Sequence, residues 1–199
     1  MVTISASQVK ELRDKTGAGM MDCKKALAEM DGDVDKATKY LREKGIADAA
    51  KRAGRKTSEG LVHAYIHPGS KIGVLVEINC ETDFVARNDT FRDFVKDVAM
   101  HIAASNPLYL TRDQVSSDLL DQEREVLANQ ARESGKPDNV IDKIVEGRID
   151  KFYSQICLME QPFIKDMNIT IEDYLKDMIS KTGENIQIRR FARYQLGEE

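Results

Sequence analysis

Three histidines, three cysteines and one Gly-rich turn are the residues from which familiar active sites would be built in this sequence. His63 and His67 are four apart in an alternating, strand-like stretch. They share a face but sit two pleats apart, unlike the i, i+4 helical pair that grips zinc in a peptidase. His101 falls beside the apolar face of a predicted helix, where packing is its ordinary role. Cys23, Cys80 and Cys157 are widely separated and form no CxxC pair. An odd, sparse set fits a reducing cytoplasm, with neither a disulfide framework nor a zinc knuckle. No Ser, Cys or Lys has a base at a recognised motif spacing, and no carboxylate pair stands out as acid and base. Thr16-Gly17-Ala18-Gly19 has the glycines of a phosphate loop, but no strand precedes it and Lys24 and Lys25 are wrongly spaced. It reads as a helix-to-helix turn. No covalent reaction, cofactor or metal site is expected.

Two other segments suggest contact with a partner. Met20 and Met21 are consecutive on a predicted helix, and two such neighbours cannot both follow one face. At least one is a candidate exposed, adaptable contact, although two loosely packed core methionines would give the same pattern. The run Glu77-Ile-Asn-Cys-Glu-Thr-Asp-Phe-Val-Ala-Arg-Asn88 changes from period 2 to period 3.6 near Thr82. Read simply, Thr82 caps a helix, Asp83 complements its dipole and Phe84 enters the core. The alternative is a protruding turn carrying an aromatic wedge beside a carboxylate.

The elements that must position these residues can be read from periodicity. Residues 5–45 predict three short helices. Ser5 or Ser7 caps the first, with Ala6, Val9 and Leu12 on one face. Met20, Cys23, Ala26, Leu27 and Met30 are at helical spacing in the second. Val34, Ala37 and Leu41 face inward on the third, which is expected to stop at Gly45. So small a unit buries little apolar surface and reads as a docking module. Residues 60–67 and 72–80 predict a hairpin about Pro68-Gly69, with Val62, Ala64 and Ile66 on one face and Ile72, Val74, Val76, Ile78 and Cys80 aligned on the other strand. An amphipathic helix spans Phe91 to Ala104. Two more helices, ending at Ser134-Gly135 and starting at Pro137, can pair as a projecting hairpin. Thr170 caps a last helix, and Ile186–Leu196 predicts a third strand. The fold class is α+β: an N-terminal three-helix domain (residues 1–45), a linker helix or basic linker (46–58), and a core (59–199) with an antiparallel sheet of about three strands covered by helices.

Composition narrows the function classes. With 199 residues, 41% hydrophobic and 32% charged, the chain holds one or two folded domains and is no disordered tail. A net charge of −4 argues against a DNA coat, and no apolar run approaches a membrane span. Charge is uneven: residues 1–57 carry 13 Lys and Arg against nine Asp and Glu, whereas the rest is acidic. Lys51, Arg52, Arg55 and Lys56, with Arg189, Arg190 and Arg193, leave open an RNA- or ribosome-associated binding protein, and the three-helix module leaves open an adapter for ubiquitin-like partners.

Leu12-Arg13, the run Thr16-Gly-Ala-Gly-Met-Met-Asp-Cys-Lys-Lys-Ala-Leu27 and the Glu77–Arg87 run together resemble the two signature patterns of the bacterial elongation factor Ts family, in the same order and separation. The resemblance extends from the N-terminus through the last strand. It implies a guanine-nucleotide exchange factor for elongation factor Tu, acting in the cytoplasm without covalent catalysis or cofactor. The N-terminal unit would then be ubiquitin-associated-like and dock on the nucleotide-binding domain of factor Tu through Met20 and Met21, with Leu12. The turn of Thr82, Asp83, Phe84 and Val85, flanked by Asn79 and Arg87, would insert beside the magnesium and phosphates. The partner would be factor Tu, GDP-bound or nucleotide-free, with no role for DNA or membrane. Longer members carry an additional core subdomain absent here, and short members are thought to dimerise, so a homodimer is implied.

Overall fold

The computed structural model describes residues 4–198, the side chain of residue 46 excepted. Eight α-helices and five strands follow one another among them: α1 (Ala6–Thr16), α2 (Met20–Glu29), α3 (Val34–Arg52), β1 (Glu59–Ile66), β2 (Ile72–Cys80), α4 (Asp83–Ala86), α5 (Asp89–Ser105), α6 (Ser117–Glu133), α7 (Asp138–Ile156), β3 (Pro162–Phe163), β4 (Asp166–Thr170), α8 (Ile171–Thr182) and β5 (Ile186–Gln195). The molecule is α+β, with one three-stranded antiparallel sheet of order β1-β2-β5. The chain divides into two compact units. One comprises Met1–Val62, Glu77–Val95 and Asp173–Arg189; the other comprises His63–Val76, Lys96–Glu172 and Arg190–Glu199.

In the first unit, α1, α2 and α3 bury Val9, Leu12, Cys23, Ala26, Leu27, Ala37 and Leu41 together. Local chemistry sets the helix ends. Ser5 and Gln8 form a reciprocal capping box, the Gln8 N–H donating to Ser5 Oγ at 3.2 Å and the Ser5 N–H to Gln8 Oε1 at 3.0 Å. Asp33 caps α3 by accepting from the N–H groups of Asp35 and Lys36. Gly17 ends α1 in the left-handed region, φ 69°, where its N–H reaches the Arg13 carbonyl at 2.7 Å. The expected stop at Gly45 does not occur: α3 runs unbroken to Arg52. Gly45 is there for close approach, since a Cβ would lie 2.8 Å from Ser180 Oγ on α8. In this helix, tertiary packing overrides glycine's weak propensity.

Alternation on β1 and β2 predicts which residues share a face, and burial decides which face is covered. Val74, Val76, Ile78 and Cys80 are buried, whereas Val62 and Ile66 are exposed and Leu61, His63 and Tyr65 are half-buried. Ile66 shares the outer face with Gly73, whose Cβ would meet Ile66 Cδ1 at 3.2 Å.

The second unit holds the helical hairpin. Leu127 and Ala131 of α6 pack on Ile141, Val145 and Ile149 of α7, while Val126 is exposed. At its base the Arg112 guanidinium forms two bonds to Glu160, a third to Asp150 at 2.9 Å, and lies 4.3 Å above the Tyr153 ring. Such ion pairing holds Arg112 charged at any accessible pH. The short antiparallel pair β3-β4 was not expected from periodicity. Buried His101 accepts the Ile164 N–H at Nδ1 and donates from Nε2 to Gln161 Oε1 at 3.0 Å, and Gln161 in turn donates to the Gln155 carbonyl.

Candidate partner-binding site

The exit of β2 is the best-defined candidate. Thr82 leaves the strand with extended backbone and caps α4, its hydroxyl accepting the Val85 N–H at 3.5 Å. Ala86 turns into the core, and Arg87 closes the four-residue helix by pairing with Asp83 at 3.0 Å. Asn88 then caps the following helix by accepting the Thr90 N–H at 2.8 Å. Phe84 is left 82% exposed. The simple reading, in which Phe84 enters the core, is therefore wrong. Helical periodicity through Phe84 is interrupted at Arg87-Asn88, so its phase does not carry into the buried Phe91-Phe94-Val95 stripe.

Around this turn the sequence signals are only local, and they missed the main support. Glu184, in the bend between α8 and β5, accepts the N–H groups of Glu81 and Thr82 at 3.1 and 3.0 Å and the Thr82 hydroxyl at 2.6 Å. Glu81 reciprocates: its Oε1 accepts the Asn185 N–H at 2.6 Å and a guanidinium N–H of Arg55 at 3.4 Å. Buried Asn185 donates its side-chain amide to the Arg55 and Ala53 carbonyls, beyond the end of α3. Glu184 is about one hundred positions from Thr82, and no local motif announces such a pairing. Asn79 is half-buried on β2, with its Oδ1 enclosed and lacking a hydrogen-bond partner. Val85 is half-buried.

The second apolar site is the start of α2. Met20 and Met21 are 58% and 64% exposed. Spacing left open whether these two methionines are loosely packed in the core or offer an exposed contact, and both stand in solvent on the first helical turn. The preceding turn is internally satisfied: Thr16 donates to the Leu12 carbonyl at 2.6 Å and accepts the Ala18 N–H. No phosphate cradle is formed. Lys44 of α3 bonds Asp22 at 2.9 Å, an interaction that raises the lysine pKa and ties α3 to α2. Leu12 is fully buried in the core of the three helices, so its side chain offers nothing to solvent.

The rest of the chemistry-bearing inventory is quiet. All three cysteines are buried and free. Burial, reinforced by Glu184, pushes the Cys80 thiol up to about 11, and burial does the same for Cys157. Burial also lowers the His101 pKa from 6.5, keeping the ring neutral. Among the described residues no three His, Cys, Asp or Glu converge as metal ligands, and no helix is long and apolar enough to cross a membrane. Several basic residues are already engaged: Lys51 with Asp48, Arg55 with Glu81, and Arg193, nearly buried, with the Ala103 carbonyl and Glu198.

Comparison with known proteins gives one consistent result. The family model described as Elongation factor TS matches residues 5–198. Proteins named elongation factor Ts are similar over nearly the whole chain. That of Geobacter sulfurreducens is 59% identical over 197 residues, covering 99% of this chain and 91% of its own length. That of Alkaliphilus oremlandii is 61% identical over 195 residues, covering 98% and 90%. That of Desulfosudis oleivorans is 59% identical over 198 residues, covering both chains completely.

Proposed function

The chain belongs to the elongation factor Ts family of translation elongation factors, and on that premise we propose that it binds elongation factor Tu–GDP and promotes release of GDP and magnesium so that GTP can enter. The observation that carries this reading is Phe84: a large aromatic side chain, 82% exposed, on a turn whose two entry amides are both hydrogen-bonded to Glu184. Exposing a phenylalanine on a braced turn costs solvation free energy that only a partner's surface recovers.

In this reading residues 1–45 dock, 46–58 link, and 59–199 form the core that holds the turn against factor Tu. Met20 and Met21 supply the adaptable docking contact, with Leu12 in the buried core of the same three-helix module. Phe84 enters beside the magnesium and phosphate region as the main wedge. Asp83, held by Arg87, brings a carboxylate to the same place, and Thr82, Val85 and Asn79 shape the approach. The mechanism is linkage. If this chain and GDP–magnesium each bind a different arrangement of one pocket, each weakens the other by the same factor. Magnesium tolerates little departure from octahedral geometry, so a small displacement of its ligands suffices. A coupling of about 4 kcal/mol corresponds to roughly a thousandfold faster release if expressed wholly in dissociation. GTP rebinding expels the factor by the same reciprocity. The chain makes and breaks no covalent bond, needs no cofactor, and acts on its nucleotide-bound or nucleotide-free partner in the cytoplasm.

Ile66, Leu75 and Tyr194, exposed on the three strands of the sheet, support homodimerisation through a second copy. Stopped-flow release of fluorescent GDP from factor Tu, with and without this protein, tests the main reading. Unchanged GDP lifetime at saturating protein would overturn it. A mass that stays monomeric at high micromolar concentration would remove the dimer.

A further inference from the structure

We propose that Glu184 is the positioning residue of the Thr82–Arg87 turn: its carboxylate, brought from the α8–β5 bend, fixes the backbone direction in which Phe84 projects. The consequence for exchange rests on the function proposed above; the structural claim does not. A four-residue helix is far too short to hold itself, because nucleation costs more than one or two hydrogen bonds return. Phe84, being so exposed, has few contacts of its own to fix its direction. The turn's shape must therefore come from whatever secures its entry.

Three donors converge there on one acceptor. Glu184 Oε2 takes the Glu81 and Thr82 N–H groups at 3.1 and 3.0 Å, and Oε1 takes the Thr82 hydroxyl at 2.6 Å. Those two amides lie just past the last residue of β2, so without Glu184 both would lose these hydrogen bonds. The third bond matters for a different reason. By directing the Thr82 hydroxyl hydrogen toward itself, the carboxylate leaves the oxygen's lone pairs facing the Val85 N–H, which is the cap of α4. One carboxylate thus sets both the strand exit and the helix start. Charge-assisted bonds of this kind are about twice as strong as neutral ones. The neighbouring Asn185 anchors the arrangement, since its N–H and amide hold Glu81 and the Arg55 carbonyl at 2.6 and 2.8 Å. Glu184 touches no partner atom in this scheme. It acts through Thr82.

The test uses the full chain as Glu184→Ala and Glu184→Gln. In free protein, amide hydrogen exchange of residues 81–86 should accelerate at least about tenfold in Glu184→Ala, and less in the isosteric Glu184→Gln, while the buried β2 amides keep their protection. With factor Tu, the maximal rate of GDP release should fall about tenfold, while the concentration giving half-maximal effect stays within about twofold because Met20 and Met21 are intact. A residue that merely stabilised the fold would expose β2 amides as well and would not separate these two parameters. Unchanged exchange at residues 81–86 overturns the proposal, and so does faster amide exchange with an undiminished maximal release rate. If Glu184→Ala fails to fold, Glu184→Gln carries the same two readouts. If wild type itself leaves GDP release unaltered, the exchange function fails, and amide protection alone decides whether Glu184 holds the turn.

Discussion

The Thr82–Arg87 turn and the start of α2 both present bare apolar side chains, yet they are built in opposite ways. At the turn, a rigid ring stands on a backbone that donates long-range hydrogen bonds to Glu184, while the Glu81 side chain accepts the Asn185 N–H. At α2, two unbranched methionines stand on the first turn of a helix whose Gly19 cap provides no side-chain hydrogen bond. Their support is a small apolar core and an ion pair between Asp22 and Lys44. Methionine adapts to the surface it meets, whereas phenylalanine on a fixed turn forces the surface to adapt. Under the proposed function this difference would separate affinity from action, the α2 start holding factor Tu and the Phe84 turn distorting it.

Substitutions that strike one site should therefore leave the signature of the other intact. The largest effect is expected at Phe84: Phe84→Ala should lower the maximal rate of stimulated GDP release about a hundredfold, with protein stability unchanged because the ring is exposed. A variant with wild-type stimulation would break the comparison outright. Replacing both methionines, Met20→Ala with Met21→Ala, should raise the half-maximal concentration about tenfold in the same stopped-flow titration while sparing the maximal rate. If the maximal rate falls instead, docking and distortion are one event. Gly17→Ala acts a step further back. Forcing a Cβ at φ 69°, within 2.7 Å of Lys181 Cε, should cost about 1 kcal/mol of stability by urea titration and loosen the α2 start, leaving amide protection at the turn unaltered.

The smallest effect is a control in the other unit. His101 is held neutral there, and unfolding returns it to its ordinary value of 6.5, so the unfolded chain takes up the extra proton. Stability should be fully present above pH 6.5 and fall as the pH drops below it, lowering Tm by roughly a few degrees per pH unit. His101→Gln should flatten that slope in a melting series. Neither methionine nor Phe84 contacts should register the change at pH above 6.5.

Periodicity carried much of the fold. The three N-terminal helices, the β1-β2 hairpin, the α6-α7 pair and the last strand are all elements whose stabilising contacts repeat along the chain, and these were legible. The failures share one cause. Gly45 looks like a helix stop because its local propensity is poor, yet Ser180, 135 residues later, makes small size the requirement. Spacing alone left Met20 and Met21 undecided between core and surface, and only the packed module exposes both. Phe84 continues an apolar pattern whose phase is reset by a two-residue break. The β3-β4 pair is too short for alternation to register.

By itself the sequence determined the α+β class, the helix caps and the types of residue offered at both apolar sites, because those depend on neighbours within a few positions. It also excluded familiar active-site patterns, through the spacing of its histidines and cysteines. Only the tertiary structure decided that Phe84 stands in solvent, that Leu12 is sealed in the three-helix core, and that Glu184 closes on Thr82. Each of those is a contact, or a lack of one, between segments far apart in the chain. Burial and hydrogen-bond partners across such distances depend on how the whole chain packs, which no local pattern specifies.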